Sequence, residues 1–385
     1  MGKRLPVEDV GQGNYVDLLD PERYYTAPGR AIQRQRIRDN LLGDARFCPV
    51  IRRTERLVQF EESNLSERCR KIMDGYPIGL LKRALAYLYT KESKSSFEIE
   101  HVKLSAPRTQ RFIALLQLAE REDFFHKQAL VELQNRIVDE RFQNADYRSS
   151  QNYVGQAVAW QNERVHFVSP KPEHLPALME GMISAHLRMN LDPVSPVIHA
   201  TVVAYGLVFM HPFEDGNGRI HRFLIHNVLA RRGFTPRGVM FPVSAVMLKR
   251  PDAYDASLEA FSKPLLQLID YSLDDHGRMT VHNDTADYYR YPDLTPQAEA
   301  LFEFIRETIE VELIQELSFL TNYDSTKRAI QDVIDMPDRL IDLLIRCCLQ
   351  NHGRLSKRKR EEFFPMLSDQ EVESLEQAIR EAHVT

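Results

Sequence analysis

His211-Pro212-Phe213-Glu214-Asp215-Gly216-Asn217-Gly218-Arg219-Ile220-His221-Arg222 puts a titratable base, a carboxylate, a Gly-Asn-Gly turn and two arginines into one short stretch. Gly and Asn tolerate positive φ, so Asp215 through Gly218 reads as a turn whose successive N–H groups point into one concavity. Such a concavity binds anions. From Arg219 to Arg231 the pattern predicts a helix, with Phe223, Leu224, Val228 and Leu229 on an apolar face and Gly233 as terminator. The turn then delivers its N–H groups to the positive end of a helix dipole, where a phosphate is favoured. Arg219 and Arg222 are neighbours on that helix, and their planar forks can each grip phosphate oxygens. Asp215 offers a hard oxygen to Mg2+, which borrows most of its other ligands from phosphates and water. His211 is left free as a base.

Working upstream, Ser195-Pro196 opens a strongly apolar run containing Val197, Ile198, Val202, Val203, Leu207, Val208 and Phe209. A helix apolar on most sides belongs in the middle of a bundle, so His211 is expected to emerge from the core. Taken singly, a His beside Pro and Phe is an ordinary structural residue, and Asp-Gly-Asn-Gly an ordinary surface turn. A plain turn gives no reason for a base, an acid and two arginine forks at these offsets. His199, His221 and His226 form no metal set with His211, since HExxH is missing, and no GxxxxGK[ST] phosphate loop occurs.

The stretch resembles the signature of the Fic family, His-x-Phe-x-(Asp/Glu)-Gly-Asn-Gly-Arg-x-x-Arg, with every defined position met. The resemblance implies an all-α Fic-fold helical bundle that transfers AMP from ATP to a hydroxyl of a target protein. By position, His211 would deprotonate the hydroxyl, Asp215 would hold Mg2+, and Asn217 with the N–H groups of Gly216 and Gly218 would stabilise the α-phosphate. Arg219 and Arg222 would clamp the distal phosphates. Relatives that act as kinases carry Lys where this chain has Gly218, which favours adenylyl transfer here.

Ser95-Ser96-Phe97-Glu98-Ile99-Glu100-His101 resembles the inhibitory (Ser/Thr)-x-x-x-Glu-(Gly/Asn) motif of many Fic proteins, with Ser96 and Glu100 in the defined places. There the glutamate pairs with the second motif arginine, here Arg222, and occupies the γ-phosphate site. His101 departs from the pattern; if its position needs positive φ, His is a poorer occupant than Gly. The plain alternative is an ordinary capped helix start with solvated carboxylates.

Residues 147–169 alternate apolar and polar over short spans and predict a hairpin. The segment resembles the family's flap, on which a target segment bearing a Ser, Thr or Tyr acceptor would dock by strand addition. Val154 and Gly155 would face the nucleotide, Gly155 allowing close approach; Trp160 could equally be a packing residue.

A net charge of -5 over 385 residues carries no footprint for wholesale nucleic-acid binding. No run approaches a membrane span, and Cys48, Cys69, Cys347 and Cys348 show no metal or CxxC spacing, so a cytoplasmic protein is expected. The expected organisation is an N-terminal helical region over 1–110, a core over 111–280 and a helical C-terminal domain over 281–385. Residues 1 to about 50 read as irregular. In the C-terminal part, helices are expected from Thr295 to about Leu320, over 324–351 and over 369–382. A homo-oligomer is compatible with this reading. Two rival functions fit the same residues: a hydrolase removing AMP, with Glu100 orienting water, and a non-enzymatic nucleotide-binding interaction module.

Overall fold

The computed structural model describes residues 6–159, 162–190 and 193–383. In chain order its helices are α1 (Glu55–Glu62), α2 (Leu65–Asp74), α3 (Ile78–Glu98), α4 (Ala106–Leu118), α5 (Lys127–Ile137), α6 (Leu175–Asn190), α7 (Pro196–Met210), α8 (Asn217–Arg231), α9 (Val243–Lys249) and α10 (Pro251–Leu266). They continue as α11 (Ala286–Arg290), α12 (Thr295–Glu307), α13 (Ile314–Val333), α14 (Asp338–Leu349), α15 (Lys357–Phe363) and α16 (Asp369–His383). Strands are short: β1 (Val16–Asp17), β2 (Arg30–Ile32) and β3 (Ile37–Asp39) form one sheet, β4 (Tyr153–Ala159) pairs with β5 (Asn162–Val168), and β6 (Tyr271–Leu273) with β7 (Met279–Val281). The fold is all-α with a small antiparallel hairpin, as expected.

Two compact units emerge. One comprises residues up to Ile72 together with Leu85–Glu310; the other comprises Met73–Ala84 and Val311 onward. The division does not fall near 110 or 280, because α12 packs on α7, α9 and α10 and so joins the first unit.

In the first unit α7 is the axis. Its residues from Val197 to Leu207 are all buried, because the sequence offers no polar face to leave outside. α6 and α8 pack along it, and Gly181 and Gly206 are where the N-terminal segment comes closest. A Cβ on Gly181 would stand 2.6 Å from Phe47 N, and one on Gly206 2.9 Å from the Phe47 ring. The largely irregular N-terminal stretch is thus locked on by an aromatic seated in a notch of small residues.

The hairpin β4-β5 pairs Tyr153 with Val168 and Ala159 with Asn162, with irregularities after Val154 and after Ala157. Trp160 lies outside the described residues. In the second unit Ile330, Ile341, Leu344, Phe364 and Ile379 close a separate apolar core. The break expected near residue 320 is absent: a π-helical stretch, Thr308–Leu313, leads straight into α13. The chain breaks instead between Ile334 and Pro337, where proline disfavours helix in the residue before it.

Candidate active site

α7 ends on His211, which adopts left-handed backbone angles, φ 50° and ψ 57°, and still donates its N–H to Leu207 O at 2.9 Å. Its Nδ1 is 3.2 Å from Val208 O, and a carbonyl can only accept, so Nδ1 carries the proton and Nε2 is left as acceptor. Burial pushes the imidazole pKa down to about 4, so the ring is neutral near physiological pH. One side of it faces a cavity of about 630 Å³.

The start of α8 lines the same cavity. Gly216, at φ 93°, turns the chain into the helix, and the first intrahelical bond runs from Ile220 N to Gly216 O at 2.9 Å. The N–H groups of Asn217, Gly218 and Arg219 therefore have no partner within the helix, the usual condition of a first turn. Arg219 and Arg222 are each 2% exposed and reach the same space. Asp215 uses Oδ1 to accept from Gly216 N and from Arg219 Nη2, both at 2.6 Å.

Glu100 stands between the arginines. Its Oε1 is 2.9 Å from Arg222 Nη2 and its Oε2 is 2.6 Å from Arg219 Nε; the second is an ion pair whose N–H is not aligned as a hydrogen bond. Gly218 makes room, since a Cβ there would meet Glu100 Oε1 at 2.5 Å. Two rungs below support the carboxylate. Arg222 Nε donates to Ser96 Oγ at 3.0 Å, and Glu92 Oε1 lies 2.8 Å from His226 Nε2, with Ser244 N donating to Glu92 Oε2 at 2.9 Å. Residues 92, 96 and 100 recur every four positions, as do 226 and 222 on α8, so the two helices meet along one buried polar seam.

The stretch carrying Glu100 is a helix end, not a helix start. Val102 N donates to Phe97 O at 3.1 Å and His101 N to Glu98 O at 2.9 Å, the paired bonds of a Schellman cap. His101 occupies its left-handed position with φ 55°. Gly or Asn suits this position, Gly because a Cβ there costs about 1 kcal/mol and Asn because its short polar side chain tolerates left-handed angles by bonding locally. His101→Gly is expected to raise stability by about 0.5 to 1 kcal/mol, partly offset by the looser unfolded chain. A urea midpoint that falls would contradict this.

Other expectations are redistributed. Asn217 spends its side chain on Phe213, accepting from Phe213 N at 3.1 Å and donating to Phe213 O at 2.7 Å. It braces the loop, and what the turn offers an anion is backbone. Val154 lines the cavity, but Gly155 does not. Its missing Cβ instead admits the Tyr153 ring and Arg164 O, at 3.0 and 3.1 Å, at the hairpin irregularity. Among the described residues no group of three His, Cys, Asp or Glu is placed to hold a metal ion. A cation would have Asp215 as its protein ligand and would need the rest from phosphate and water. Tyr254, which the sequence offers either as a border of the nucleotide or, by preference, as core packing, is buried with its Oη 3.4 Å from Arg222 Nη1. Sequence reading passed over Arg148, which binds His211 O. An arginine in a loop carries no pattern that would have singled it out.

A family model described as Fic/DOC matches residues 124–229. A Culex quinquefasciatus protein named Protein adenylyltransferase Fic is 32% identical over 124 residues, 31% of this chain and 22% of that protein. Protein adenylyltransferase fic-1 of Caenorhabditis elegans is 28% identical over 139 residues, 34% of this chain and 24% of that one. The chain thus covers less than a quarter of the length of these relatives. A solved Fic family protein from Desulfovibrio desulfuricans G20 aligns with a TM-score of 0.47 and 20% identity over 80% of this chain and 87% of its own. No helix among the described residues is long and apolar enough to cross a membrane.

Proposed function

The chain carries a Fic/DOC family domain over residues 124–229, and from that premise we propose that it is a protein adenylyltransferase that moves AMP from ATP to a hydroxyl of a target protein or of itself, with Glu100 as an internal brake. The observation that carries this reading is a single cavity shared by a neutral imidazole, a helix's unpaired first turn and two buried arginines. His211 Nε2 takes the proton of a Ser, Thr or Tyr hydroxyl, and the oxygen forms a bond to the α-phosphorus. The bond from that phosphorus to the bridging oxygen of the β-phosphate breaks, and pyrophosphate leaves. Backbone N–H groups at the mouth of α8 face the charge that grows on the α-phosphate oxygens. Arg219 and Arg222 hold the departing phosphates. Mg2+, when bound at Asp215, supplies further neutralisation of the triphosphate.

The acceptor is presented along residues 147–169. β4 pairs only with β5 among the described residues, leaving one edge of β4 for an added strand, and Val154 stands exposed where that edge meets the cavity.

Incubation with ATP labelled at either phosphate tests the reading. Label from the α-phosphate should become protein-bound, and label from the γ-phosphate should not. The reverse pattern would mean a kinase, and ATP binding with neither label would mean a nucleotide-sensing module.

A further inference from the structure

Arg148 is 4% exposed and makes no hydrogen bond to a carboxylate among the described residues; its side chain donates to three backbone carbonyls. Nε donates to His211 O at 2.8 Å, Nη1 to Ser150 O at 2.6 Å and Nη2 to Pro170 O at 2.5 Å. Its own backbone N–H donates to Pro212 O at 2.8 Å. Ser150 and Pro170 stand just outside the two ends of the β4-β5 hairpin, so one guanidinium joins both stems of the flap to the backbone of the candidate base. The planar fork suits this, because its donors point in fixed directions that a lysine ammonium cannot reproduce.

We propose that Arg148 is a positioning residue for the transfer reaction: it holds His211 in its left-handed conformation and fixes the flap to it, so that acceptor and base keep one geometry. This rests on the reading of His211 as the base. The left-handed backbone costs a residue with a Cβ free energy and persists only where its surroundings impose it. Three contacts impose it here: the N–H to Leu207, the Nδ1–H to Val208, and the carbonyl held by Arg148. Without the third, the His211 backbone can relax out of the left-handed region and shift the ring with it. Neighbouring ties add to the joint, since Ser150 Oγ donates to Glu214 at 2.6 Å and Asn152 Nδ2 to Phe213 O at 3.3 Å. They bind the stems to the loop after His211, not to His211 itself. Burial pulls the guanidinium pKa down to about 10, which still leaves it charged near neutrality. Its charge is solvated by carbonyl dipoles, the environment expected of a buried cation that serves as a clasp.

Arg148→Lys and Arg148→Met in the full chain, each with and without Glu100→Gly, test this. A displacement of the base by about 1 Å costs about 100-fold in rate. With Glu100→Gly, kcat for AMP transfer is expected to fall about 100-fold in Arg148→Met, with the KM for ATP changed by less than about threefold, and Arg148→Lys should recover part of the loss. Amide hydrogen exchange is read in parallel, and it should rise together at 149–152, at Val168 and Ser169, and at His211 and Phe213 in the 211–213 stretch. The proposal is overturned if folded variants keep kcat, if kcat and KM move together, or if exchange rises at the stems but not at 211–213. A parent protein that transfers no AMP would sink the adenylyltransferase reading, and the exchange pattern would still decide whether Arg148 couples the flap to His211. Should Arg148→Met not fold, Arg148→Lys alone carries the same readouts.

Discussion

His211→Ala is expected to reduce AMP transfer by at least about 1,000-fold while ATP affinity stays within about threefold, because the imidazole acts on the acceptor proton and not on the phosphates. The phosphates are met by the N–H groups at the start of α8 and by Arg219 and Arg222, none of which depends on the ring. A positioned general base contributes about 100- to 10,000-fold. Here Nδ1–H is tied to Val208 O, so Nε2 alone can take the proton. The pH dependence follows from the same contacts. With the pKa pushed down to about 4 by burial, the deprotonated and active form prevails above that value and is lost only as pH falls through it. The wild-type rate should therefore show no fall from this group between about pH 8 and pH 6, whereas an imidazole of ordinary pKa would begin to protonate there. Transfer of α-labelled AMP against pH, with ATP affinity measured by calorimetry, checks both statements. A variant that keeps more than about a tenth of the wild-type rate would remove His211 from the chemistry.

What was legible in advance was local. The motif from His211 to Arg222 could be read because turn, helix mouth and arginine spacing are all properties of one continuous segment. α7 could be read because a run with no polar face has only one place to go. Glu100 and His101 were half legible: the spacing of Ser96 and Glu100 indicated a face, and the φ of 55° at His101 fits the position Gly or Asn would fill, yet the stretch closes a helix where a start was the plain alternative. The rest depended on packing between distant segments. Nothing in the order of residues says that Glu92 will meet His226, that the Asn217 amide will turn back to Phe213, or that Gly155 will serve Tyr153 instead of the cavity. Arg148 is the clearest case, because its partners are carbonyl oxygens, and every residue has one. The missed break before Pro337 is a different failure: the proline was visible, but the apolar pattern on both sides suggested a continuous helix.

Glu100→Gly is expected to raise AMP transfer by about 30- to 100-fold. The carboxylate is one-quarter exposed and neutralises two arginines that are each 2% exposed, so it competes for the cations that a triphosphate needs. Removing one partner from a buried ionic cluster costs about 3 to 5 kcal/mol, because the remaining charges lose their compensation. Part of that cost should appear as lower stability of the variant without ligand. It should be regained when ATP is present, since phosphate oxygens take the place of Oε1 and Oε2 between the same guanidinium groups. The competition itself need only be worth about 2 to 3 kcal/mol to give the stated rise, at about 1.4 kcal/mol per tenfold. Glu100→Gln separates charge from shape: it keeps the volume beside Gly218, so a rise in this variant as well assigns the brake to charge, and a rise in the glycine variant alone assigns it to occupancy. Ser96 would still hold Arg222 Nε in both, keeping that arginine aimed at the cavity. Initial rates with α-labelled ATP, and melting with and without ATP, read the two effects separately. Rates unchanged within about threefold in both variants would show that the carboxylate does not restrain the enzyme, and an outright loss of turnover in both would point to a hydrolase that needs Glu100 for its water.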